Sequence, residues 1–236
     1  MFDAPHASAA SARRRRALAL LAGLACLTCG RALAVPAPSA ATLDLQRAAA
    51  AGDVPALERA LAAGAALEAR DARGRTPVLL ATQGGHVAAA RLLIGRGADV
   101  NAQDEQQDSA FLLAGARGLT EIVRAALAAG ADWRITNRYG GTALIPACER
   151  GHVETVRLLL TTDIDVDHVN RLGWTALLEA VILGTGDAPH QDIVRLLLAR
   201  GARVNLADRD GVTPLQHALR QGQTAVAELL RAAGGQ

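Results

Sequence analysis

The chain has 236 residues, of which 50% are hydrophobic and 20% are charged. That apolar content is ample for a packed core and excludes a wholly disordered chain. Because only 2% of the residues are aromatic, the core must be built mainly from Ala, Leu and Val.

Residues 1–34 have the pattern of an export signal. Four arginines at 13–16 precede an apolar run of 14 residues, 17–30, and residues 32–34 match an A-x-A cleavage site. The apolar run is shorter than the roughly 20 residues that a membrane-spanning helix needs. We therefore expect a periplasmic or secreted protein with no stable membrane span after cleavage, and a short Pro/Ala-rich linker over 35–41.

The route of export stays open between the general and the twin-arginine pathways, because Arg15-Arg16 fits either. A lipoprotein anchor on Cys26 or Cys29 is less well supported, since neither follows a Leu-small-small sequence. Removal of residues 1–34 takes away five Arg and one Asp, which changes the formal net charge from +2 to −2. A nucleic-acid partner is therefore not expected.

From residue 42 onward the sequence repeats with a period of 33 residues. A Thr or Ser followed by small apolar residues recurs in steps of 33, 33, 33 and 38, at Thr76, Ser109, Thr142, Thr175 and Thr213. Each can cap a short helix, and the second helix of each unit carries an apolar stripe that ends near a glycine. Neither helix can bury its apolar face alone, so the units must stack.

The repeated units carry the motifs of a known family. Gly85-His86 and Gly151-His152 match a G-H pair, and residues 97–101 read G-A-D-V-N. Residues 42–236 therefore resemble the ankyrin repeat family. The resemblance implies an all-α solenoid of stacked helix-turn-helix units with β-hairpin finger loops, in about six repeats including both caps. It also implies that the histidine of each G-H pair, with His190 in the fifth unit, braces the turn between helices.

Three positions depart from the repeat. Asp163 stands where other units have a glycine after the second helix, and we expect it to adopt the same left-handed conformation. Pro146 lies four residues after Thr142 and removes the first intrahelical hydrogen bond, which predicts either a frayed helix start or a reshaped groove floor. Residues 184–188 lengthen the link between the helices of the fifth unit, and we expect a mobile loop that forms a second, smaller contact site.

The sequence offers one weak indication of a metal site. Asp163, Asp165 and Asp167 have the spacing of a calcium loop, but His168 and Trp174 stand where such a loop needs Gly and Glu. The repeat accounts for the same residues as a helix end and a finger. We therefore expect no metal site.

No catalytic motif is recognisable: G-x-S-x-G, H-E-x-x-H and phosphate-binding glycine loops are all absent. Cys148 is expected to be a buried, inert thiol. The least favoured alternative is an enzyme that uses His190, Asp187 and Asp192 near the insertion. We expect no enzyme and no cofactor.

The finger turns are the best candidate for a binding surface. The resemblance implies that the second, third and fifth positions of each turn are exposed, and the two central fingers there carry Arg, Tyr, Leu and Trp, which include the types that dominate binding hot spots. The alternative is that Tyr139 and Trp174 pack against neighbouring fingers. The predicted partner-binding residues are Arg138, Tyr139, Arg171, Leu172, Trp174 and, on the groove side of the next helix, Glu179.

These observations predict a monomeric, non-enzymatic scaffold that binds another protein in the bacterial cell envelope. The resemblance extends to a periplasmic ankyrin repeat protein associated with catalase function, which makes an oxidative-stress enzyme such as catalase one candidate partner. The alternative is an immunity or inhibitor protein that occludes a toxin or hydrolase. The sequence does not identify the partner.

Overall fold

A computed structural model describes residues 38–236, which contain twelve helices. The predicted signal over residues 1–34, with Cys26 and Cys29, lies outside the described residues. The helices are α1 (Ala40–Ala51), α2 (Val54–Ala62), α3 (Pro77–Gly84), α4 (Val87–Gly95), α5 (Ala110–Ala116), α6 (Thr120–Ala128), α7 (Leu144–Glu149), α8 (Val153–Leu159), α9 (Ala176–Ile182), α10 (Ala188–Ala199), α11 (Pro214–Arg220) and α12 (Thr224–Ala232).

The helices form six pairs that stack into one array, as the repeat predicts. The first helices of successive pairs (α1, α3, α5, α7, α9, α11) pack on one another, and the second helices form a parallel row. We number the pairs as units 1 to 6. Since α1 begins at Ala40, with the Ser39 side chain accepting from the Thr42 amide, the last two residues assigned to the linker 35–41 belong to the first helix.

One core runs through all six units, and small side chains let the helices approach closely. Apart from Phe111, the largest fully buried side chains of the described residues are all Leu or Ile. Residues 38–236 contain no β-strand, so the fingers between units are tight turns and not the β-hairpins that the resemblance implied.

The resemblance implied that histidines such as His86 and His190 brace the turn between the helices of a unit, whereas their Nε2 contacts run to the preceding unit. The His86 ring nitrogen Nε2 lies 3.1 Å from the Ala50 carbonyl oxygen of the unit before it. His190 makes the same contact with the Glu149 carbonyl at 3.0 Å, although the fifth unit carries the insertion. Partial burial lowers the pKa of His152.

The end of α8 differs from the prediction for Asp163. Glycine adopts a positive φ after five of the six second helices, at Gly64, Gly97, Gly130, Gly201 and Gly234, but Asp163 does not. Instead α8 ends early, at Leu159, and the hydroxyls of Thr161 and Thr162 donate to the carbonyls of Leu158 and Leu159 at 2.7 Å. Threonine hydroxyls therefore satisfy the last carbonyls where other units use a left-handed glycine.

Part of the insertion at 184–188 forms a short loop, and its last residue begins a longer helix α10. Helix α10 begins at Ala188, two residues before His190, and has 12 residues. The Gln223 side-chain amide donates to the Gly184 carbonyl at 3.0 Å, and the Gln191 amide donates to the Gly186 carbonyl at 2.9 Å. These contacts fasten the segment to its own helix and to the next unit, unlike the mobile loop expected from the sequence.

Candidate protein-binding groove

All five fingers are built on the same side-chain turn. In finger 1 (71–75), the Asp71 Oδ1 atom accepts from the backbone amides of Arg73 and Arg75, both at 2.9 Å. The first residue of each of the other fingers accepts from the third and fifth amides in the same way, at Asp104, Asn137, Asn170 and Asp208. This pattern closes each turn and draws the fifth residue back toward the next helix.

Because of this turn, the prediction that the fifth position is exposed is wrong. The second and third positions are exposed in every finger, whereas the fifth is partly buried or buried in all of them. Trp174, the fifth residue of finger 4 (170–174), is partly buried, and Gly141 in finger 3 (137–141) is buried. Trp174 therefore does not present its ring as Tyr139 and Leu172 present their side chains.

Arg171 is exposed but braces two fingers. Its backbone amide donates to the Tyr139 carbonyl at 2.8 Å, and its guanidinium donates to the Arg138 carbonyl at 2.7 Å. These two bonds hold finger 4 against finger 3. Arg171 thus fixes the positions of the neighbouring candidate residues.

Fingers 3 and 4 form one wall of a groove of about 400 Å³, whose floor is made by α5, α7 and α9. Four of the six predicted binding residues line it: Arg138, Tyr139, Leu172 and Glu179. Sequence reasoning missed Asn137, Asn170 and Leu183, which also line it. A larger cleft of about 580 Å³ lies against α1 and α2 and is lined mainly by alanines.

The groove concentrates exposed apolar surface. Six large hydrophobic side chains are exposed in the described part of the chain, and three of them line this groove: Tyr139 at 52%, Leu172 at 49% and Leu183 at 47%. The Arg138 guanidinium lies 4.8 Å from the centre of the Tyr139 ring and 3.4 Å from an Asp108 carboxylate oxygen. An exposed aromatic ring beside an arginine is typical of binding hot spots.

Glu179 is a buried carboxyl on the groove floor, with only 5% of its surface exposed. Its Oε1 atom accepts from the Asn170 side-chain amide at 2.7 Å, and within residues 38–236 its other oxygen receives no hydrogen bond. Burial, followed by repulsion from Glu149, raises the pKa of Glu179 to about 7, while Asn170 and Arg150 act in the opposite direction. Glu179 therefore changes charge near neutral pH.

The same finger-to-helix pairing recurs in the next unit with other side chains. The His217 Nε2 atom lies 2.7 Å from an Asp208 carboxylate oxygen, and these residues are nine apart, as are Asn170 and Glu179. In both units the first residue of the finger, Asn170 or Asp208, therefore contacts the fourth residue after the helix cap, Glu179 or His217. This nine-residue spacing is the signal that could have revealed the Asn170–Glu179 pair from the sequence.

Units 2, 3 and 4 lack this pair, because Leu80, Leu113 and Pro146 stand at the pairing position. The Asn137 side-chain nitrogen makes no hydrogen bond to the described chain, and Pro146 lines the groove beside it. Proline also disrupts the helix start: α7 begins at Leu144, and the buried Thr142 hydroxyl has no partner, although the other four caps each accept from a backbone amide. The late, uncapped start of α7 agrees with the frayed start predicted for Pro146, whereas a reshaped groove floor stays a prediction.

Family models match most of the described chain. The model described as "Ankyrin repeats (3 copies)" matches residues 45–132 and 111–208, and "Ankyrin repeats (many copies)" matches residues 186–231. The chain belongs to the ankyrin repeat family. The six stacked units and their finger turns are the architecture that this membership requires.

Among relatives, the putative ankyrin repeat protein YahD of Escherichia coli is 46% identical over 56 residues, which are 24% of this chain and 28% of YahD. An ankyrin repeat domain from Acinetobacter baumannii is 53% identical, with a TM-score of 0.78, over 81% of this chain and 98% of that one. A chain from the complex of a predatory endopeptidase of Bdellovibrio bacteriovorus with an immunity protein is 22% identical, with a TM-score of 0.70, over 80% of this chain and 97% of that one. The last likeness shows the fold alone.

The enzyme alternative loses its geometric basis in this ankyrin array. Asp187 and His190 do pair, at 2.6 Å, and this contact lowers the pKa of Asp187. However, the other His190 nitrogen contacts the Glu149 carbonyl, so neither nitrogen is free to act as a base. Asp192 forms an exposed ion pair with Arg195 at 2.7 Å and takes no part in the pair.

Two other expectations concern Cys148 and the calcium spacing. Cys148 is fully buried, and burial, with a smaller contribution from Glu179, raises the pKa of its thiol well above the usual value. The Asp167 carboxylate binds the backbone and guanidinium of Arg203, both at 3.0 Å. Within residues 38–236, no three His, Cys, Asp or Glu side chains are grouped as metal ligands, and no helix is suited to cross a membrane.

Proposed function

We propose that this ankyrin repeat protein is a non-enzymatic scaffold of the bacterial cell envelope that binds a protein partner in the groove between fingers 3 and 4 and helices α5, α7 and α9. The observation that carries the proposal is the convergence of exposed Tyr139 and Leu172 with Arg138 on one groove. Solenoid repeats present extended concave surfaces that suit protein binding. The envelope location rests on the signal pattern of residues 1–34.

The first candidate partner is an oxidative-stress enzyme such as catalase, whose activity the scaffold would support. The second is a toxin or hydrolase that the protein silences as an immunity protein. This protein shares its fold with a chain of the endopeptidase–immunity protein complex, which supports the immunity role as the second candidate. The two classes differ in the sign of the effect on the partner.

Affinity capture with residues 35–236 from periplasmic extract, or from total extract of the source bacterium, tests the proposal. We expect one stoichiometric partner for the unaltered chain and loss of that partner with Leu172→Asp. Leu219→Asp is the matched control, because Leu219 is equally exposed at 49% but does not line the groove. Equal capture by both variants would refute the groove as the binding site.

The activity of the captured partner then separates the two classes. A rise in activity on reconstitution with the purified scaffold supports the first, and silencing supports the second. Turnover of a substrate by the isolated scaffold would contradict the non-enzymatic assignment.

A further inference from the structure

We infer that the floor of this groove is a subsite for one basic side chain of the partner, a lysine or arginine whose cationic end is received by Glu179. This inference rests on the proposed function and specifies the partner's chemistry. The central observation is the buried Glu179 carboxyl, which lines the groove and uses only one oxygen for the protein, in the bond with Asn170. The buried side-chain atoms without a hydrogen-bond partner in residues 38–236 are Thr142 Oγ1 and Gln223 Oε1, so the second oxygen of Glu179 is not sealed in the core and can be reached from the groove.

The charges along the groove leave the floor with an acidic excess. Glu149 lines the groove beside Glu179 and raises its pKa, which shows that the two carboxyls repel each other. Of the two arginines of the lining, Arg138 pairs with Asp108 at 3.4 Å. Arg150 donates to a backbone carbonyl at 2.8 Å, and its charge acts on Glu179 less strongly than that of Glu149 does. A cation placed at Glu179 relieves the repulsion and satisfies the free oxygen in one contact.

The apolar lining of the groove suits the stem of a long basic side chain. Ile145 and Pro146 on the floor and Leu172 on the wall contribute apolar atoms, and Tyr139 adds an exposed ring. Lysine and arginine bury their methylene stems against apolar surface while the charged end reaches a polar partner. In this groove the charged end of the side chain would point inward, toward the carboxyl on the floor, and not outward to solvent.

The neighbouring Asn137 gives the subsite a second directional contact. Its side-chain oxygen closes finger 3, but its nitrogen has no protein partner within residues 38–236, since Pro146 replaces the side chain that would pair with it. That nitrogen is a donor and suits a carbonyl of the partner's main chain. A donor at Asn137 and an acceptor at Glu179 match a carbonyl followed by a cationic side chain.

Other partner side chains fit the floor less well. A carboxylate would add a third negative charge beside Glu149 and Glu179. An aliphatic side chain would cover the free oxygen of Glu179 without donating to it, which costs about 1–3 kcal/mol. The basic side chain is the one occupant that neutralises the floor and also fills it.

Binding of the cation must be linked to protons, since a cation favours the ionised carboxyl. The ionisable groups that act on Glu179 are Glu149 at the end of α7 and, more weakly, Arg150 just after it, and Glu179 in turn acts on the Cys148 thiol. With a Glu179 pKa of about 7, roughly a tenth of the chains are ionised at pH 6 and nine tenths at pH 8. We expect the affinity for the cation to rise about ninefold over that range.

Nuclear magnetic resonance titration of the labelled chain tests the subsite. The probe is N-acetyl-arginine N-methylamide, and its neutral isostere is the citrulline analogue. We expect saturable shifts of the Asn137 and Asn170 side-chain amides with the arginine probe and binding at least tenfold weaker with citrulline. Glu179→Gln should weaken the arginine probe at least tenfold at pH 8 and abolish the pH dependence, while it keeps the acceptor that Asn170 needs.

Glu154→Gln is the matched control, because Glu154 is an exposed glutamate on α8 and does not line the groove. Equal binding of the two probes, or arginine binding unchanged by Glu179→Gln, would overturn the subsite. Failure of the subsite is distinguishable from failure of the proposed function: if Leu172→Asp abolishes partner capture but the arginine probe does not bind, the groove is a binding site with another occupant on its floor.

Discussion

Replacement of Glu179 by glutamine should stabilise the protein at alkaline pH and have much less effect at acidic pH. The folded chain raises the pKa of this carboxyl from 4.5 to about 7, so the folded state binds a proton more tightly than the unfolded state does. The contribution of Glu179 to the unfolding free energy is fully present below pH 4.5 and is lost as the pH rises through 7. At pH 8 the folded chain therefore holds a poorly solvated charge that unfolding would release to water.

The magnitude follows from the size of the pKa shift. Each unit of pKa difference corresponds to about 1.4 kcal/mol of unfolding free energy. The unaltered chain should therefore lose about 2–3 kcal/mol of stability from Glu179 between pH 5 and pH 8. Glutamine carries no charge at either pH and keeps an oxygen for the Asn170 amide. The difference in unfolding free energy between the variant and the unaltered chain should therefore grow by about 2–3 kcal/mol over that range.

Urea unfolding of residues 35–236, followed by circular dichroism at pH 5, 6, 7 and 8, measures this difference directly. Comparison of two chains at each pH removes the contribution of every other titrating group. Glu154→Gln, an exposed glutamate paired only loosely with Arg157, should show no such trend. A difference for Glu179→Gln that stays constant from pH 5 to pH 8 would show that the carboxyl is already ionised at pH 5 and would refute the reasoning.

Three further changes test the fold. Gln107 is the only non-glycine residue of the described chain with a positive φ, at 60°, so Gln107→Gly should raise the unfolding free energy by about 1 kcal/mol in the same urea assay. Asn170→Asp removes the donor to Glu179 and adds a carboxylate, and should lower stability by about 2 kcal/mol at pH 8 and less at pH 5. Gly184→Ala places a methyl group against a helix carbonyl and should cost more than about 2 kcal/mol, whereas Gly95→Ala, in open space on α4, should be neutral or slightly stabilising.

The repeat was predictable because it depends on local chemistry that recurs at fixed spacing. A hydroxyl cap at Thr76 or Thr175 and a glycine such as Gly97 each determine the local backbone conformation. The positions of the helix pairs can therefore be predicted from the sequence. The same logic failed at Asp163, because two adjacent threonines, 161 and 162, provide another way to end a helix. Local substitutes of this kind are visible only when the competing hydrogen bonds are compared.

The candidate site was predictable only where exposure depends on position in the turn. Tyr139 and Leu172 were identified because the third position of a finger faces outward, whichever residue occupies it. Trp174 was misplaced because its exposure depends on a hydrogen bond from its own amide to the Asn170 side chain. Leu183 was missed because its exposure arises from the way that α9 ends beside the groove, which no local motif encodes.

The departures from the repeat converge on one place, and this convergence is itself an argument for function. Pro146 breaks a helix start and leaves Asn137 without its partner, and one unit further on Glu179 places a carboxyl where the preceding units have Leu80 and Leu113. Each departure is unfavourable for stacking, since it leaves a buried hydroxyl unbonded or buries a charge. A sequence under selection for stability alone would have a leucine at both positions, as two other units do. That both unfavourable residues line the same groove as the exposed Tyr139 is explained if a partner supplies the missing donor and acceptor on binding.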